Sequence, residues 1–181
     1  MSKEQLREGL KRLGTYVEQF DFKSTFLEEG ALIPMDTLII PLEMEGDLSI
    51  DVSCNFIDVP NMGSMLQFYG QLMLDGLIRE AAAPLADYDF MNLINKLNRI
   101  APVGQIIYMC EENEGKEQKM LGIRYTMLTD LDSEGEMIKC THVLMLFMQI
   151  YELLCSCLVL LLDGNPVESV MKDIMQLLEA E

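Results

Sequence analysis

The chain has 181 residues, half of them apolar, with 13 basic against 30 acidic side chains and a net charge of −17. That length fits one domain, 1–181, whose core is large enough to form without disulfides or metal. The charge argues against nucleic acid or anionic lipid as a partner, because binding to either rests on Lys and Arg releasing counterions.

The opening helix is expected from Glu4 to Phe20, where Leu6, Leu10, Leu13, Val17 and Phe20 recur on one stripe. Its basic cluster, Lys3, Arg7, Lys11 and Arg12, is diluted by Glu4, Glu8 and Glu18 and reads as a solvated face. The charged start of this helix is unlike a signal sequence, so the expected setting is the cytoplasm. Asp21 to Pro34 reads as a connector. The period then changes to two: Leu38, Ile40, Leu42 and Met44 share one face of a strand, and Pro41 points to a sheet edge because proline donates no ladder hydrogen bond. Beyond the turn Glu45-Gly46-Asp47, Leu48, Ile50, Val52, Cys54 and Phe56 alternate with polar residues, as in a half-buried antiparallel strand. Met65 to Leu74 fits either period; Gly70 and the turn Asn61-Met62-Gly63 favour a strand. Ala81 to Pro84 reads as a linker within the domain.

A second helix follows, capped by Asp87 or Asp89, with Phe90, Leu93, Ile94 and Leu97 as its apolar stripe and Pro102-Val103-Gly104 as its stop. Strands Gln105 to Glu111 and Lys119 to Thr129 form a hairpin through the loop Glu112 to Lys116. Ser133 and Glu136 make a capping box that opens a long third helix, ended by Asp163-Gly164. Asn165 caps a last helix with Pro166 at its first position, and Val167, Val170, Met171, Ile174 and Leu178 form its stripe. The expected fold class is therefore α+β, an antiparallel sheet of about five strands packed by helices in the order α-βββ-α-ββ-α-α.

The segment Asp89-Phe-Met-Asn-Leu-Ile-Asn-Lys-Leu-Asn-Arg-Ile100, running through Pro102-Val-Gly104 into Gln105-Ile-Ile-Tyr108, resembles the YbjN-like family, which has the fold of type III secretion chaperones. The hairpin around Leu121-Gly-Ile-Arg-Tyr-Thr126 and the long helix after it continue the match, which covers Thr37 to Asp163. Residues 1–20 then form an N-terminal helix and 165–181 an extra C-terminal one. The resemblance implies a compact sheet packed by helices, commonly dimeric, that binds other proteins and brings no catalytic residues.

The remaining motifs have plain structural readings. Asp130, Asp132 and Glu134 mimic the start of a calcium loop, but its closing glutamate position is Thr141, deep in a helix. The alternative to a binding protein is an enzyme using these carboxylates with a divalent ion. Cys155 and Cys157, two apart on a helix, point away from each other and cannot share a zinc ion. The same geometry separates Cys140 from His142, which is expected to be partly buried. With Cys54 and Cys110 the cysteines number five, mostly in apolar runs, and are expected to be reduced. Ser169 and Lys172 have an acyl-transfer spacing but no companion motif. Val143 to Leu162 is long enough to span a membrane, yet Gln149, Glu152 and Ser156 interrupt it, so a buried core helix is expected.

Fifteen methionines fit either a core filler or a surface for varied apolar partners. If Leu38, Phe56, Phe68 and Ile123 face the helices, then Ile39, Ile57, Met65, Tyr69, Met73, Met120 and Leu128 lie on the opposite sheet face. An apolar face of that kind calls for a cover. The resulting expectation is a non-enzymatic protein-binding module, chaperone-like or a regulatory adaptor, acting as a homodimer without cofactor, metal, nucleic acid or membrane.

Overall fold

The computed structural model describes residues 2–31, 33–43, 49–61, 63–74, 87–101, 104–113 and 116–180, with the side chains of 111–113, 116–117 and 177–180 left out. Several expected features therefore lie outside the described residues: Met44 and Leu48 with the turn between them, Met62, the linker Ala81 to Pro84, Pro102 and Val103, the tip of the last hairpin, and the Leu178 side chain.

Among the described residues the chain forms α1 (Lys3–Val17), a 3₁₀ turn (Glu18–Phe20), β1 (Thr25–Leu27), β2 (Thr37–Glu43), β3 (Ser49–Val59) and β4 (Gly63–Met73). It continues with α2 (Asp87–Leu97), β5 (Gln105–Asn113), β6 (Lys116–Met127), α3 (Glu134–Leu162) and α4 (Val167–Ala180). The fold is α+β, with one six-stranded antiparallel sheet of order β1-β2-β3-β4-β6-β5. The strand beyond the expected five is β1, which lies in the stretch read as a connector. Three residues are too few for alternation to register. The strand at Met65 to Leu74 is present as β4. Pro41 does not put β2 at the outer edge of the sheet, but β1 pairs only with Thr37, Leu38 and Ile39, so among the described residues that side of β2 has no strand partner from Ile40 onward.

The chain divides into two compact units, Met1–Gln71 with Ile123–Met148 and Leu72–Gly122 with Gln149–Glu181; β4, β6 and α3 contribute residues to both. In the first unit, Ser2 caps α1: its hydroxyl accepts the Gln5 amide at 3.2 Å while the Gln5 side chain accepts the Ser2 amide at 2.8 Å. Leu10, Leu13 and Val17 are buried as their stripe requires. Phe20 is not; it stays 45% exposed, because the 3₁₀ turn winds three residues per turn and carries it off the stripe. α1 lies directly on β2. A Cβ on Gly14 would stand 2.9 Å from Ser24 Oγ and 3.0 Å from Leu38 Cδ1, so any larger residue there would make these side chains shift. The same sheet face carries buried Leu38, Ile40, Leu42, Ile50, Val52, Cys54, Leu66 and Phe68, and Phe68 meets Phe147 of α3 at 6.4 Å between ring centres. Each large apolar side chain so buried contributes about 1.5–3 kcal/mol.

All four basic residues on α1 do more than face water: Lys3 pairs with Glu29 at 2.6 Å and Lys11 with Glu8 at 2.9 Å, and the two arginines do more. Arg7 grips Asp36 through Nε and Nη2 at 3.0 and 3.2 Å and reaches Glu28 at 2.6 Å, while Asp36 also accepts the Glu29 amide at 2.9 Å. Arg12 donates to the Leu131 carbonyl at 3.1 Å and to Asp132 at 2.7 Å. Leu131, fully buried, is held in the left-handed region at φ 56°, a strained state for leucine. Its amide donates to Thr129 Oγ1, and Gly9 of α1 leaves room for its Cβ.

In the second unit Phe90, Leu93, Ile94 and Leu97 of α2 are all buried. Asn98 follows them and clasps Ile106 of β5, donating to its carbonyl at 3.0 Å and accepting its amide at 2.8 Å. An asparagine in that place mimics a neighbouring strand. Asp87 binds Lys119 Nζ at 2.7 Å, and Phe90 packs on the Tyr108 ring at 4.9 Å. Ile150, Tyr151, Leu154, Cys157, Leu158 and Leu161 of α3 are buried. The helix closes by the bonds Gly164 N to Leu161 O and Asn165 N to Leu160 O, with Gly164 at φ 88°. Asn165 does not cap α4; its side-chain amide donates back to the Leu160 carbonyl, and the Pro166 carbonyl accepts the first bonds of the new helix. Val167, Val170 and Ile174 form the buried stripe of α4.

Gly14→Val is expected to lower stability by about 1–3 kcal/mol through overpacking against Ser24 and Leu38, read from urea unfolding; an unchanged midpoint would place α1 elsewhere. The Asp36 carboxyl feels burial pushing it up, but the hydrogen bonds from Arg7 and the Glu29 amide, with the Arg7 charge, outweigh that and hold it below its usual value. The stability this group supplies is present above the unfolded carboxylate range and is lost as pH falls through the lowered folded value. Asp36→Asn should therefore be less stable than the wild type at neutral pH, and the two unfolding midpoints should converge under acid.

Candidate partner-binding surface

In the first unit, β2, β3 and β4 set the sheet face turned away from α1. Antiparallel register sorts its residues into rows: Ile39 opposite Ser53 opposite Tyr69, then Thr37 opposite Asn55 opposite Gln67, then Ile57 opposite Met65. Ile39, Ile57, Met65 and Tyr69 are each half-exposed. Polar contacts divide them: Ser53 donates to the Tyr69 carbonyl at 3.0 Å, and Gln67 Nε2 reaches Asn55 Oδ1 at 3.5 Å. Ile57 and Met65 are thus direct apolar neighbours, Ile39 and Tyr69 flank Ser53, and the polar row Thr37, Asn55 and Gln67 lies between the two sets. Alternation along single strands puts Ser53 and Asn55 on this side of β3, and the register alone shows which residues they lie between.

Of the other three expected residues, one is buried and two are exposed. Met120, in the second unit, is 5% exposed and so is buried, not presented. Met73, also in that unit, is exposed at the end of β4, and Leu128 is exposed just past the end of β6. Of the four residues expected to face the helices, Leu38, Phe68 and Ile123 are buried; Phe56 is half-exposed and lines a cavity of about 440 Å³ with Leu6 and Leu10 of α1.

A second surface in the same unit was not expected from the sequence. Phe20, Phe22, Pro41, Met145 and Met148 line a groove of about 360 Å³, with Asp21, Lys23 and Glu43 at its rim. It brings together the 3₁₀ turn, the second half of β2 and the middle of α3, positions more than a hundred residues apart in the chain. The two phenylalanines flanking Asp21 were the available clue.

The carboxylates of the calcium-like loop have separate tasks. Asp130 accepts the Asp132 amide at 3.1 Å, making a turn, while Asp132 faces Arg12. Among the described residues no three His, Cys, Asp or Glu side chains gather closely enough to hold a metal. Ser133 Oγ accepts the Glu136 amide at 3.3 Å, one arm of the expected capping box. The Glu136 carboxylate is engaged by Lys139 at 2.7 Å and by the Thr129 hydroxyl, which together hold it below its usual range. His142 is exposed, not partly buried, because with Ile138 and Met145 it falls on the outward stripe of α3. Burial pushes the Cys140 thiol up to about 12 and Cys157 to about 11, and also raises Cys54 well above its usual value, so these three are poor nucleophiles. Cys110 is exposed. Among the described residues, α3 alone is long and apolar enough to cross a membrane, and nearly half of its most apolar stretch is buried within the protein.

Compared with protein-family models and with curated proteins, the chain matches none.

Proposed function

We propose that the chain is a non-enzymatic protein-binding module, chaperone-like or a regulatory adaptor of YbjN-like kinship, that works as a cytoplasmic homodimer. The supporting observation is the half-exposed face of β2, β3 and β4, where Ile57 beside Met65, and Ile39 and Tyr69 on either side of Ser53, offer apolar contacts around a polar row able to fix register. Apolar contacts supply affinity by leaving water, and the Asn55–Gln67 row penalises a misaligned partner by leaving amides unpaired. Each chain carries −17, so two copies repel over the range that salt screens. The dimer is therefore expected to tighten as ionic strength rises.

Light scattering across a concentration series tests this. Met65→Asp with Tyr69→Asp should shift the wild-type dimer toward monomer with the circular dichroism spectrum kept, and added salt should favour the wild-type dimer. A doubly substituted chain that keeps the wild-type mass, or a wild type that is monomeric at every concentration and salt, removes this face as the interface.

A further inference from the structure

The groove beside Phe20 differs from the sheet face in being concave, lined by flexible side chains and acidic at its rim. Phe20 is 45% and Met145 42% exposed, so two large apolar side chains meet water in the same depression. Methionine adapts its shape to different apolar occupants, and aromatic rings give it a firm wall. At the rim, Lys23 is neutralised by Glu43 at 2.6 Å. Asp21, held at φ 63°, has no ion-pair partner among the described residues, which leaves the rim net negative on a chain of charge −17. An added strand fits poorly here. β1 pairs β2 only as far as Ile39, and Pro41 beyond it supplies no amide proton to a newcomer. A second copy of this acidic chain also meets the rim with like charge.

We propose that this groove docks a basic amphipathic segment of a partner protein. An apolar side chain enters among Phe20, Phe22, Met145 and Met148, and Lys or Arg residues on its flank face Asp21. The proposal rests on the protein-binding function above and names the chemistry of the partner.

Fluorescence anisotropy of the full chain tests it against three labelled synthetic peptides of about 18 residues, long enough to support a helix. One carries Leu and Lys at helical spacing, one the same composition shuffled, and one Leu and Glu at helical spacing. At physiological salt the first should bind, the shuffled peptide at least about tenfold more weakly, and the acidic peptide not measurably. Met145→Asp and Phe20→Asp, both at exposed positions, should each weaken the first peptide by about tenfold or more, while Met65→Asp leaves its affinity unchanged. Equal binding of the striped and shuffled peptides, or undiminished binding by both groove variants with native circular dichroism, overturns the groove. Loss of peptide by the groove variants alongside a dimeric Met65→Asp chain upholds the groove and removes the sheet-face dimer. A monomeric Met65→Asp chain with groove variants that bind normally does the reverse.

Discussion

The close seating of α1 on β2 is the constraint on which the rest of the first unit depends. It is possible because Gly14 has no side chain where Ser24 and Leu38 press in, and because Gly9 leaves the same freedom beside Leu131. Once the helix is that close, its two arginines reach chain that a more distant helix could not. Arg7 fixes the segment around Glu28 and Asp36, and Arg12 fixes the strained turn before α3. In the apolar layer beneath, Leu10, Leu13 and Val17 above and Leu38, Ile40 and Val52 below are all sealed from water.

The legible parts of this fold were those with a long, regular period. Ile50, Val52 and Cys54 announce β3 by alternation, and Phe90, Leu93, Ile94 and Leu97 announce α2 by helical spacing; all seven are buried. What could not be read depends on groups brought together from afar. Three-residue β1 is a strand because β2 offers it a partner, not because Thr25-Phe26-Leu27 has a pattern of its own. Arg7 and Arg12 look like solvated cations until Asp36 and Leu131 are placed beside them. The same holds for the candidate surface. Its facing was legible for Ile39, Ile57, Met65 and Tyr69, yet its division by Asn55 and Gln67 is a property of register. Met120 was misread because burial in a sheet depends on what covers it, which no single-strand period encodes.

Both surfaces in the first unit are mixed in character, and that has a common physical basis. A chain of this charge stays soluble through mutual repulsion, so apolar patches can be presented without indiscriminate association. The polar row on the sheet and the acidic rim of the groove restrict which partner geometry is rewarded. Specificity then arises from what each surface penalises as much as from what it attracts.

The turn at Leu131 also orders events in time. Arg12 and Asp132 are 120 residues apart, so when α1 leaves the ribosome its anchor has not been made. At roughly 5–20 residues per second the delay is about 6–24 s. Throughout that interval the glycine-notched side of the nascent helix has no Leu131 to receive. The first helix translated therefore waits for one of its two arginine joints, and a truncated chain released before the turn is synthesised would carry α1 unfastened there.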